Sequence, residues 1–144
     1  MESKKDAKKE PKVTKEVDPL GANKETHAFM VMGTRFEVDK KYEIIDPIGS
    51  GAYGVVVAAK DATMATTQGS ESNLVAIKKI VKAFEHRVFS LRTYRELKIQ
   101  RLLEHENVLG IKRILKPKNR ESFIEIYVVS ELMETDLAQI IKSN

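Results

Sequence analysis

Three glycines, Gly49, Gly51 and Gly54, stand between apolar residues in the stretch I-G-S-G-A-Y-G-V-V. A backbone without Cβ atoms takes positive φ readily and lets a ligand come close. A hairpin of this composition can close over phosphates and offer them backbone N–H groups. A dinucleotide-binding fold would open a helix directly after the third glycine. Here Val55, Val56 and Val57 continue in strand-like fashion, which favours a hairpin lid. Taken alone, the spacing also fits a tight hairpin with no ligand.

Three further stretches could complete a nucleotide site. In Val75-Ala76-Ile77-Lys78, alternate strand residues share a face. Ala76 then offers a small floor for a flat ring, beside the Lys78 ammonium for phosphate. Lys79 points the other way and reads as surface; on its own, Lys78 reads as a surface lysine too. Glu96 recurs with Phe89 and Leu103 at a spacing of seven, on one helix face. Its carboxylate has two available cations, Lys78 and, one turn back, Arg92. Ser130-Glu131-Leu132-Met133-Glu134-Thr135-Asp136 follows the last strand, where backbone groups lose ladder partners and can meet a base edge. Ser130 is small and would leave a back pocket open. Asp136 fits ribose hydroxyls and equally fits favourable charge at a helix N-terminus.

The elements that must hold these groups follow from pattern. Tyr42 to Ile48 predicts a first strand, with Pro47 placing it at an edge or bend. Val55 to Ala59 and Leu74 to Ile80 predict two more strands, joined by the polar loop Lys60 to Asn73. Arg87 to Leu103 predicts a helix, without internal Pro or Gly. Val108 to Leu115 and Phe123 to Val129 predict two further strands. Asp136 to Lys142 opens another helix, with Thr135 as its expected cap. The expected fold class is α+β: a five-stranded antiparallel sheet with one packed helix. Residues 1–35 are expected to be a disordered tail, because lysines and glutamates alternate there with few apolar residues to offset ordering entropy. An ordered unit is expected over 36–133, with 134–144 beyond it.

Composition narrows the classes. At 144 residues the chain holds one domain at most, and with no Cys it has neither disulfides nor thiolate metal sites. A net charge of +4, with acids interleaved among the bases, gives weak support for nucleic-acid binding. No leader-like apolar segment is visible, and no run approaches the ~20 residues that span a bilayer. Neither nucleic acid nor membrane is expected as a partner, and the expected location is intracellular.

Together and in this order, the motifs are far more specific than any one of them. The glycine loop and the V-A-I-K strand are protein-kinase signatures. Residues 33–144 resemble the N-terminal lobe of a eukaryotic protein kinase, and more narrowly of the mitogen-activated protein kinase family. The matching stretches are G-T-R-F-E-V-D, I-G-S-G-A-Y-G-V-V, V-A-I-K-K-I, R-T-Y-R-E-L-K-I with H-E-N after it, and E-L-M-E-T-D-L. The resemblance implies an ATP site. Ile48, Val56 and Ala76 would sandwich the adenine. Gly49, Ser50, Gly51, Ala52, Tyr53 and Gly54 would cover the phosphates, with Tyr53 at the tip, and Val55 would belong to the cofactor-binding set with them. Lys78 would hold the α- and β-phosphates and Glu96 would hold Lys78. Ser130 would be the gatekeeper, Glu131 and Met133 would bind the adenine edge through their backbones, and Asp136 the ribose. Implied partners are ATP, protein substrates, an upstream kinase and phosphatases; implied locations are cytoplasm and nucleus.

Two departures qualify the pattern. Gln100 stands one turn after Glu96, where the family usually places an apolar residue. The sequence also contains no H-R-D, D-F-G, A-P-E or T-x-Y segment. Kinases use those segments to accept the hydroxyl proton and to hold magnesium. The expectation is a truncated lobe, inactive alone, marginal in stability and prone to self-association through apolar surface. The competing expectation is a non-catalytic nucleotide- or partner-binding module made as a short product.

Overall fold

The computed structural model describes residues 13–16, 25–51, 54–64, 73–116, 120–121 and 123–143. Its elements run β1 (Val13–Glu16), β2 (Thr26–Val31), β3 (Thr34–Asp39), β4 (Tyr42–Gly51), β5 (Gly54–Asp61), β6 (Leu74–Ile80), α1 (Arg87–Leu102), β7 (Ile111–Ile114), β8 (Ile126–Glu131) and α2 (Leu137–Lys142). Strands β4 to β8 form a five-stranded antiparallel sheet in the order β4-β5-β6-β8-β7. The expected sheet and helix are therefore present. As Pro47 requires, β4 is an edge strand, and its register shifts between Ile44 and Asp46 and again between Pro47 and Gly49.

The expected tail is not what the described residues show. A second sheet, β1-β2-β3, stands ahead of Tyr42. Phe29 and Val31 in β2, and Phe36 and Val38 in β3, alternate on one buried face. They share a core with Tyr42, Ile44, Val55, Val57, Ala59, Val75, Ile77 and Val129 of the larger sheet. The hairpin closes through Met32 and Gly33, both at positive φ (50° and 76°), the geometry of a two-residue primed turn. Burial of four large apolar side chains offsets the ordering entropy that a charged composition had seemed unable to offset. The charged residues of 1–12 and 17–24 lie outside the described residues.

The opposite face of the larger sheet carries α1. Ile80, Ala83, Ile126 and Val128 form a smaller cluster there, with Leu97 of α1 and Ile111 and Ile114 of β7 against it. The Ser90 hydroxyl donates to the Ala83 carbonyl at 2.9 Å and ties the first turn of α1 to the preceding loop. No residue of α1 is fully buried, and Val88, Leu91, Tyr94, Ile99 and Leu102 face outward. Two smaller corrections concern ends. Strand β8 runs through Ser130 and Glu131, which pair with Ala76 and Val75. Asp136, not Thr135, caps α2: its Oδ1 accepts from the Gln139 N–H at 2.8 Å.

Candidate nucleotide site

The register of the sheet decides which side chains share a face. Val56 pairs with Lys78, which pairs with Val128; Ala58 pairs with Ala76, which pairs with Ser130. Directly opposed residues of an antiparallel pair project to the same side. Val56, Ala76, Lys78 and Ser130 thus lie on the α1 face, and Gly49 is brought beside Val56. On that face Lys78 Nζ donates to Glu96 Oε1 at 2.9 Å. The two side chains are 36% and 48% exposed, so the ammonium remains open to a ligand. Arg92, the alternative partner for Glu96, instead lines a recess of about 250 Å³ together with Lys78, Phe89, Thr93 and Glu96.

The glycines differ in what requires them. Gly54 has φ +136°, and a Cβ there would lie 1.8 Å from the Lys79 carbonyl oxygen. The fold itself demands glycine at that position. A Cβ at Gly49 or Gly51 would meet nothing within 4 Å, and neither is at positive φ. Among the described residues, neither packing nor backbone conformation calls for glycine at these two sites. Bare backbone at these two positions fits close approach of a phosphate chain. Ile48, half exposed at 52%, presents an unburied apolar side chain at the bulge next to Gly49, and Ala76 is buried.

Any part Val55 plays at a nucleotide falls to its backbone. Its side chain is buried with Val57 and Ile77 in the core on the far face, because it is one residue out of phase with Val56. Ala52 and Tyr53, expected at the loop tip, lie outside the described residues. Glu131 is still in the ladder through Val75, whereas Met133 lies beyond the strand and is largely exposed. Ser130 lines a cavity of about 130 Å³ with Lys78, Glu96, Gln100 and Leu109. Gln100, one turn beyond Glu96, lines the same cavity. Asp136 spends one carboxylate oxygen on its cap.

The group that residue types alone had concealed is Lys79. It was expected at the surface and is only 3% exposed. Its Nζ binds Glu125 Oε1 at 2.7 Å and the Arg35 carbonyl oxygen, between the rings of Phe36 and Tyr127. The Tyr127 hydroxyl donates to Glu125 Oε2 at 3.2 Å and accepts from the Glu37 N–H at 3.1 Å. Burial, with Glu125 and Glu37 nearby, pushes the Tyr127 phenol well above its ordinary value. The alternation that put Lys79 opposite Lys78 was correct; the sheet covering that face was missing from the expectation.

Among the described residues no three His, Asp or Glu side chains gather where they could hold a metal ion. No helix of the described residues is long and apolar enough to cross a membrane.

Comparison with known proteins agrees with the geometry. A model of the protein kinase domain matches residues 42–144. The chain is 49% identical over 118 residues to mitogen-activated protein kinase 7 of Arabidopsis thaliana, covering 82% of this chain and 30% of that protein. It is 48% identical over 130 residues to mitogen-activated protein kinase 4 of Oryza sativa subsp. japonica, covering 89% of this chain and 33% of that protein. The chain spans about a third of the length of the curated relatives it matches. With the lysine–glutamate pair beneath a glycine hairpin on a five-stranded sheet, this chain belongs to the protein kinase family, as an N-terminal lobe of mitogen-activated type.

Proposed function

We propose that residues 42–136 form the ATP-binding lobe of a serine/threonine protein kinase of mitogen-activated type, which transfers the γ-phosphate of ATP to protein hydroxyls. The observation that carries this reading is the Lys78–Glu96 pair at 2.9 Å on the same sheet face as Val56 and Ala76. Glu96 holds the ammonium in place, and the ammonium is then available to the α- and β-phosphates. The Gly49 to Gly54 hairpin closes over them, and Ala76 with Val56 and Ile48 flanks the base. Glu131 and Met133 offer backbone groups to its edge. Asp136 keeps a free carboxylate oxygen for the ribose. Magnesium, when bound in such kinases, neutralises charge on the phosphates.

A polypeptide of these 144 residues is proposed to bind ATP without transferring phosphate, since the sequence contains no H-R-D or D-F-G segment. Protein substrates, an upstream kinase and phosphatases are the partners this reading implies, in cytoplasm and nucleus. Equilibrium binding of a fluorescent ATP analogue to the chain tests the proposal. Saturable binding that unlabelled ATP competes away, and that Lys78→Met weakens by about tenfold or more, is the expected result. Binding indifferent to Lys78 would overturn it.

A further inference from the structure

Lys79 meets three separate parts of the molecule. Its ammonium is held by the Arg35 carbonyl of β3 and by Glu125 ahead of β8. Its carbonyl oxygen lies against Gly54, so closely that no side chain fits between them. Its neighbour in the chain is Lys78, which faces the other way onto Glu96. A buried ammonium separated from its partners is costly, so this position has little freedom. The N-terminal sheet, the root of the glycine hairpin and the phosphate lysine therefore meet at one residue.

We propose that Lys79 is a positioning residue for the nucleotide site, through which the β1-β2-β3 sheet fixes the strand that carries Lys78 and the hairpin root at Gly54. The proposal rests on the ATP-binding reading only for its consequence on affinity. Strand β6 is already laddered to β5 and β8 on both sides, and the Lys79 anchor adds a tie across the far face of the sheet. When that tie is lost, Lys78 and the hairpin root at Gly54 have one restraint fewer, and the Lys78–Glu96 pair opens more often.

The test compares the intact chain with Lys79→Met, Glu125→Gln and Val38→Ala, at a temperature where circular dichroism shows each one folded. Pulsed acetylation read by mass spectrometry reports how free the Lys78 amine is, and a fluorescent ATP analogue reports affinity. Lys79→Met should raise Lys78 acetylation roughly threefold, the scale set by a half-exposed ion pair, and weaken analogue binding. Glu125→Gln should move both readouts the same way by less. Val38→Ala leaves a cavity in the same core but keeps every Lys79 partner, so both readouts should stay at wild-type values. Unchanged Lys78 acetylation in folded Lys79→Met would overturn the proposal. Should Lys79→Met not fold, Glu125→Gln decides in the same way. If the parent chain binds no ATP analogue while Lys78 acetylation still responds, the ATP reading fails and the positioning role stands.

Discussion

Lys78 and Lys79 are consecutive, yet each pairs with a glutamate on a different side of the sheet: Lys78 with Glu96 at 2.9 Å and Lys79 with Glu125 at 2.7 Å. The first pair is half exposed and the second ammonium is buried. Their energetic roles differ accordingly. An exposed pair contributes little to stability and is free to serve a ligand. A buried one is costly to break.

Substitution at the first pair should therefore separate binding from folding. Lys78→Met is expected to weaken ATP binding by about tenfold or more, the loss of a charge-assisted hydrogen bond. Thermal stability should change by less than ~1 kcal/mol, since the pair is solvent-screened. Glu96→Gln should weaken binding less, because the lysine persists unsupported. Paired titration and melting curves check both.

The glycine hairpin yields an internal contrast. Gly54→Ala places a Cβ on the Lys79 carbonyl and forces positive φ on alanine, so it should destabilise the fold by about 2 kcal/mol or more. Gly51→Ala meets open space and should shift stability by less than ~1 kcal/mol while still weakening nucleotide binding. Equal denaturation midpoints for the two variants would contradict the assigned cause.

At Ser130 the prediction concerns shape. The cavity of about 130 Å³ behind it should admit a bulky substituent on the adenine ring of a nucleotide analogue. Ser130→Phe should fill that space and disfavour the bulky analogue relative to ATP by about tenfold or more. Competition binding with the two ligands measures the ratio.

Tyr127 predicts an alkaline limit. Its folded-state value is raised above the unfolded value of 10.0, so the native state retains the phenolic proton that the unfolded chain gives up. This contribution is fully present below pH 10 and is lost as pH rises toward the folded value. Chemical denaturation at a series of alkaline pH values should show stability falling, and Tyr127→Phe should flatten that slope.

The sheet that carries the site was legible in the sequence because β-branched residues, glycines and prolines mark strands locally. The expected Leu74–Ile80 strand matches β6 in the structure. Lys78 and Glu96 were legible because strand alternation and helix periodicity fix facing without knowledge of the rest. Lys79 was not, since its burial depends on residues 40 or more positions upstream in a stretch of mixed charge. The β2–β3 hairpin was missed because Met32-Gly33 is a weak turn signal, lacking the Asn or Asp that usually marks primed turns. Asp136 carried two readings in sequence; the structure supplies the capping one and leaves the ribose role to experiment.

The kinase-domain match opens at Tyr42, whereas the roof above Val57, Ile77 and Val129 is built from Phe29, Val31, Phe36 and Val38. An expression clone trimmed to the family boundary would wet that apolar strip and strip the Lys79 ammonium of its Arg35 carbonyl. Such a product should fall into inclusion bodies, and moving the start codon back to Glu25 should recover soluble material.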